Sequence, residues 1–89
     1  MSMSNSTDLT RIPNVGKATA GDFQRIGVHS IDDLKNADAM LLFKRLCAVD
    51  GARHDPCTLD VFMSAVDYAT NGTSKPWWEY TELRKTLYE

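Results

Sequence analysis

The chain has 89 residues, of which 43% are hydrophobic and 25% are charged, and this composition is ordinary for one soluble globular domain. Its formal net charge is −2, which argues against a protein that binds nucleic acid over a broad basic surface. A domain of this size buries about 60–65% of its unfolded surface, so it holds one core but no large catalytic cavity.

The beginning of the chain, MSMSNSTD, is polar and lacks the apolar run of a signal peptide. We therefore expect residues 1–8 to be a flexible leader and residues 9–89 to be one helical domain. No stretch approaches the roughly 20 apolar residues that span a bilayer, and two cysteines do not make a disulfide framework. The sequence predicts a cytoplasmic protein with reduced thiols and no membrane partner.

The segment LTRIPNVGKATAGDFQRIGV predicts a helix, a tight hairpin and a second helix. Thr7 or Asp8 is expected to cap a short first helix near residues 9–11. The hairpin is residues 12–17, in which Ile12 and Val15 turn inward and a proline stiffens the turn. The second helix covers residues 18–26 and buries three apolar side chains, and a glycine ends it; the three are Ala20, Phe23 and Ile26.

This layout places several backbone N–H groups and one lysine at a helix N-terminus, where an anionic oxygen is attracted. The N–H groups of Gly16, Lys17 and Ala18 are predicted to cradle a phosphate, with charge added by the lysine. Residues 9–29 carry three cations against one carboxylate, a local charge of +2 on an acidic molecule. The predicted contact set is Arg11, Asn14, Val15, Gly16, Lys17, Ala18 and Thr19. The alternative is a hairpin that only packs two helices together.

Three more helices are predicted in the middle of the chain. Ser30 and Asp33 have the spacing of a capping box before a short helix that ends near residue 36. Asp38 caps a helix over residues 39–49, and Asp55 caps another in which Pro56 takes the first turn. Their apolar side chains recur at helical spacing, with Leu41, Leu42, Leu46 and Val49 on the former and Leu59, Phe62, Met63, Val66 and Ala69 on the latter. Asp60 and Asp67 are interpreted as solvated positions.

The tail has a turn, two tryptophans and a short final helix near residues 79–87. We expect Trp77 and Trp78 to seal the core, and the alternative is stacking on exposed bases. No alternating apolar run indicates a strand. The chain is therefore predicted to be all-α with about five short helices.

The spacing Cys47-x6-His54-x2-Cys57 is a weak candidate for zinc, which needs a fourth ligand such as Asp50 or Asp55. We favour the interpretation without metal, in which these residues lie on a core face, in a loop and in a first helical turn. Cys57 is also a candidate reactive thiol, because a helix N-terminus lowers a thiol pKa. No catalytic residues are assigned, no cofactor is predicted, and an enzyme is not expected.

The segments IPNVGKATAGDFQRIGVHSIDDLKNAD, LFKRLCAVDGARHDPCTLDVFMSAVDYA and WWEYTELRK resemble small bacterial pathogenicity-locus proteins, which are often labelled mitomycin-resistance proteins. The first segment is also similar to the C-terminal domain of TfoX-type competence regulators. The first resemblance covers roughly residues 9–86. It implies a SAM-like helical domain with a helix-hairpin-helix, whose backbone around Gly16 and Lys17 contacts phosphate. Asn14 stands where the usual hairpin has its first glycine, and asparagine tolerates a positive φ better than most residues.

The function expected from these features is a non-enzymatic accessory module that binds the DNA backbone weakly and without sequence specificity. A link to DNA-damage resistance or pathogenicity follows from the resemblance. A homodimer would place two hairpins side by side and strengthen the binding. The alternative is a SAM-like protein interaction module that does not touch nucleic acid, which the acidic balance of residues 30–89 favours.

Overall fold

The computed structural model describes residues 9–88, and this part of the chain is helical with no strand. It holds four α-helices and two 3-10 helices. The α-helices are α1 (Lys17–Arg25), α2 (Ala39–Asp50), α3 (Pro56–Asn71) and α4 (Thr81–Tyr88), and the 3-10 helices are Ile31–Leu34 and Trp77–Tyr80. The predicted all-α class is confirmed. The predicted caps Thr7 and Asp8 of a first helix lie outside the described residues.

Two aspartates begin the longest helices, as the sequence predicts. The Asp38 carboxylate accepts hydrogen bonds from the backbone N–H groups of Met40 and Leu41, at 3.0 and 3.2 Å. The Asp55 carboxylate accepts one from the N–H of Cys57 at 2.9 Å. Each helix ends at a glycine with a positive φ, 64° at Gly51 and 76° at Gly72, where a side chain would be strained.

The first 3-10 helix differs from its prediction. Ser30 makes no side-chain cap bond, so the predicted capping box is wrong. The carboxylate of Asp33 instead accepts a hydrogen bond from the N–H of His29 at 2.9 Å. The segment is a single 3-10 turn that buries Leu34 completely, and the N–H of Asn36 then donates to the hydroxyl of Thr70 on α3 at 2.9 Å.

Helix α3 lies at the centre of the domain and packs against α2, α4 and both 3-10 helices. Its apolar stripe is buried as predicted, except that Val66 is half-buried. Phe62 of α3 and Phe23 of α1 are both fully buried, and their rings stack with centroids 4.5 Å apart. This stack joins α1 to the middle of the core.

Several apolar side chains that the sequence assigns to the interior are exposed. Leu41 and Val49 are each 54% exposed, and Trp78 is 61% exposed. Leu41 is rotated by about 100° around α2 from buried Leu42, because an α-helix has 3.6 residues per turn. The expectation that both tryptophans seal the core is wrong for Trp78, and Tyr80 fills the core in this segment instead, with 4% exposure.

Asp60 is completely buried rather than solvated, which corrects the sequence-based interpretation. Its two carboxylate oxygens accept hydrogen bonds from Arg84 Nε and from the Thr81 hydroxyl, both on α4. Helix α4 folds back over α3, and this return of the chain brings a cation to a carboxylate that lies 24 residues earlier. The buried pair fixes α4 on α3.

Within residues 9–88, no helix combines the length and the apolar character that are needed to cross a membrane.

Candidate nucleic-acid interface

The turn before α1 has a defined hydrogen-bonded geometry. The N–H of Val15 donates to the carbonyl of Ile12 at 3.1 Å, which closes a four-residue turn. Pro13 takes its second position and Asn14 its third, with a φ of 72°. This arrangement is typical of a type II turn, which requires a positive φ at the third position. Ile12 and Val15 are 1% and 5% exposed, so their predicted inward orientation is confirmed.

Gly16 is the N-cap of α1 and leaves the beginning of that helix open. Its φ is −94°, which any residue adopts, and no side chain of residues 9–88 caps the helix there. A Cβ atom built on Gly16 would meet no atom of the described residues within 4 Å. Neither the backbone conformation nor the internal packing therefore requires a glycine. Gly16 has no side chain that could cover the first N–H groups of α1, and those groups have no acceptor within the helix.

The positive charge of this region rests on fewer residues than the composition suggests. Arg25 lies 3.0 Å from the Asp22 carboxylate and 2.6 Å from that of Asp50, so its charge is compensated. Arg11 and Lys17 are exposed. Lys17 makes no ion pair or hydrogen bond with the described residues, so its ammonium group is available to a ligand at the open end of α1.

Asn14 is held against the body of the domain. Its amide nitrogen donates to the carbonyl of Lys75 at 2.7 Å and lies 3.4 Å from the hydroxyl of Ser64. The turn is therefore tied to α3 and to the segment that precedes the second 3-10 helix. Lys75 was missed by the sequence analysis, because 61 residues separate it from Asn14 and no local pattern connects them.

Replacing Asn14 with alanine is expected to destabilise the domain by about 1–3 kcal/mol, because it removes the bond to Lys75 and places an alanine at a positive φ. Asn14→Gly keeps the backbone conformation free of strain and should cost less. Urea unfolding of the two variants measures the difference. Equal stability of the alanine variant and the wild type would contradict the assigned role.

The remaining members of the predicted contact set lie on the same turn and first helical turn. Ala18 is exposed and Thr19 is half-buried, so both side chains border the open end of α1. The Val15 side chain belongs to the core, so this residue offers an approaching ligand its backbone only. All seven predicted residues therefore lie in the turn, next to it or in the first turn of α1. Val15 is the member of this set whose side chain is buried.

The three weak metal candidates are not brought together as a set of ligands. The His54 ring lies 2.6 Å from a carboxylate oxygen of Asp50, and the backbone N–H of His54 is 3.4 Å from the sulfur of Cys47. Cys57 is exposed in the first turn of α3. Among residues 9–88, no three side chains of metal-binding type converge on one point.

The electrostatics around these residues correct the prediction of a reactive thiol. A hydrogen bond to the Asp55 carboxylate raises the pKa of Cys57 above its usual 9.0. The carboxylate that caps α3 therefore disfavours the thiolate form of Cys57. By contrast, hydrogen bonds from His54 and Arg25 hold the pKa of Asp50 below its usual value, so this carboxylate is charged at neutral pH.

The geometry defines a small all-helical domain in which a type II turn leads into a helix with an open N-terminus. The Cdd1 family, described as "Pathogenicity locus", matches residues 2–86, and the chain belongs to this family. It is 46% identical over 87 residues to the "Mitomycin resistance protein McrB" of Streptomyces lavendulae, an alignment that covers 98% of this chain and 83% of the relative. No solved structure matches. The predicted family is confirmed, whereas the similarity to competence regulators stays a prediction.

Proposed function

We propose that this protein is a non-enzymatic accessory module that binds the phosphate backbone of DNA through a helix-hairpin-helix around residues 12–17. The observation that supports the proposal is Gly16, a glycine that neither its own φ nor its neighbours require. An external group that approaches the backbone closely explains it. The open N–H groups that follow, together with the exposed Lys17, fit a phosphate oxygen.

The binding is weak, nonspecific and sensitive to salt. The N–H groups and the ammonium group at the turn suit phosphate, which carries no direct sequence information. With about two phosphates neutralised, the logarithm of affinity should fall with the logarithm of salt concentration with a slope of about −2.

The Lys17→Glu variant is expected to lose DNA binding without unfolding, because Lys17 is exposed and has no partner among the described residues. Fluorescence anisotropy with labelled single-stranded, duplex and branched DNA, at about 20 mM and about 150 mM salt, measures the loss. Lys85→Glu is the matched control, since Lys85 is an exposed lysine on α4 that likewise has no partner within residues 9–88. Equal loss in both variants would assign the effect to net charge, and unchanged affinity of Lys17→Glu would contradict the site.

A role in resistance to mitomycin, in the cytoplasm, is part of the same proposal. It is supported by the name of the relative from Streptomyces lavendulae. The connection between resistance and the hairpin is tested with bacteria that express the wild type or Lys17→Glu. Their survival is measured over a range of mitomycin concentrations. Protection by the wild type alone would support the connection.

A second candidate function is a SAM-like module that binds another protein or a second copy of this chain. The exposed apolar side chains favour it, because Leu83 and Leu87 of α4 are 46% and 56% exposed and Trp78 is more exposed still. Such a surface is typical of interaction sites when its members are contiguous. A complex that persists at high salt would favour this candidate over binding to DNA.

A further inference from the structure

Two adjoining cavities form a groove between α2, the loop after it and the beginning of α3. One has a volume of about 330 Å³ and the other about 100 Å³. They share three lining residues, Met40, Phe43 and Arg53, so they are neighbouring parts of one surface depression, which we call the α2–α3 groove. Drug-sized ligands occupy clefts that begin at about 300 Å³, and the groove reaches that size.

The floor of the groove is apolar. Met40 and Phe43 are half-buried and pack against the hydrophobic core. Pro56 and Leu59 line the smaller cavity, at the beginning of α3. A flat apolar body therefore finds contact over both cavities, and this contact removes apolar surface from water.

The charged side chains along the groove are cations. Lys44 and Arg53 are exposed and make no ion pair with the described residues. Arg84 lines the smaller cavity but is compensated by Asp60. Among the described residues, no carboxylate lines either cavity. The chain as a whole has a net charge of −2. Lys44 and Arg53 nevertheless give the groove two positive charges that pair with no described carboxylate.

The nearby carboxylates are engaged elsewhere. Asp50 binds Arg25 and the His54 ring, and Asp55 caps α3. Another cavity, of about 530 Å³, has the opposite character, since Asp38 and Asp67 line it and no described lysine or arginine does. The two depressions therefore differ in the sign of the ligand charge that they favour.

We propose that the α2–α3 groove binds an organic anion: a flat aromatic body on Met40 and Phe43, with a phosphate, sulfonate or carboxylate group held by Lys44 and Arg53. Arginine suits such a group, because its planar guanidinium donates two parallel hydrogen bonds to paired oxygens. The apolar floor excludes water from one side of the ligand, which strengthens the attraction between the charges.

The groove is separate from the turn that is proposed to contact DNA. The groove is lined by residues of α2, the loop after it, α3 and α4. None of these residues belongs to the turn or to the first turn of α1. The two sites can therefore be tested with different variants.

The test compares two fluorescent probes of similar shape, anilinonaphthalene sulfonate and neutral phenylnaphthylamine. The wild type is expected to bind the sulfonate at least about tenfold more tightly. The Lys44→Glu/Arg53→Glu variant should lose this preference, and Lys44→Gln/Arg53→Gln should lose part of it. Lys35→Glu/Lys85→Glu removes two exposed cations that line neither cavity, with the same change in net charge, and should keep the preference. Equal binding of both probes by the wild type, or an equal loss in both glutamate variants, would overturn the proposal.

The position of the ligand is read from Cys47, which lines the larger cavity. In a Cys57→Ser background, iodoacetamide modification of Cys47 should slow several-fold when the sulfonate saturates the protein. Naphthyl phosphate and naphthoic acid, added as competitors, distinguish a phosphate monoester from a carboxylate as the preferred ligand. An unchanged rate of modification, or displacement of the sulfonate by neither competitor, would overturn the assignment.

Discussion

Replacing Asp60 with alanine is expected to lower the free energy of unfolding by about 3–5 kcal/mol. Asp60 is completely buried, and its partner Arg84 is 7% exposed, so the substitution removes a carboxylate that lies against a buried guanidinium. The bond from Thr81 to the same carboxylate is lost as well. Small domains have a total stability of about 5–15 kcal/mol, and a large part of it is therefore at stake. Urea unfolding, followed by circular dichroism, measures the change.

The matched control removes both charges. Asp60→Leu combined with Arg84→Met replaces the ion pair with apolar side chains of similar size, and such replacements are often neutral or stabilising. The double variant should therefore recover most of the lost stability. A loss below about 1 kcal/mol for Asp60→Ala would mean that the buried pair stabilises the domain no more than an ion pair at the protein surface does. This result would contradict the role of the pair in fixing α4 on α3.

Replacing Phe62 with alanine is expected to destabilise the domain by about 3–5 kcal/mol, the usual cost of removing a buried phenylalanine from a core. Phe62 has no exposed surface, and its ring stacks on that of Phe23. The deletion therefore leaves a cavity at the point where α1 packs on α3. For a chain of this length each kcal/mol lowers the melting temperature by about 4–8 °C, so thermal unfolding detects the change easily.

A double-mutant cycle with Phe23→Ala separates the ring contact from the general loss of buried surface. The coupling energy of a stacked aromatic pair is about 0.5–1.5 kcal/mol. Phe62→Leu serves as the conservative control and should cost much less than alanine, because it keeps most of the side-chain volume. Strict additivity of the two alanine substitutions would show that the rings do not stabilise one another.

Features that depend on neighbouring residues were predictable from the sequence. The caps Asp38 and Asp55 and the glycines that end their helices act within one turn of the chain, and the structure confirms them. The apolar stripe of α3 follows from helical periodicity. The turn at residues 12–15 follows from a proline followed by an asparagine, a pair that suits a type II turn.

Features that depend on distant residues were not predictable. Asp60 looks like a solvated position until α4 brings Arg84 to it, and Trp78 looks like a core residue until Tyr80 takes that place. The candidate interface was located through its local residues, but its link to Lys75 spans most of the chain. The α2–α3 groove could not be predicted for the same reason, because α2, α3 and α4 all contribute to its walls.

The bond between Asn14 and the carbonyl of Lys75 has a consequence for the order of events during synthesis. A ribosome releases the turn before α1 early, whereas the acceptor that holds it follows 61 residues later. Contacts over such a separation form late, because the intervening chain must first be ordered. The nascent chain therefore contains the residues of the turn before the hydrogen bond that restrains the turn can form. Premature termination before residue 75 would yield a chain in which the turn is never secured.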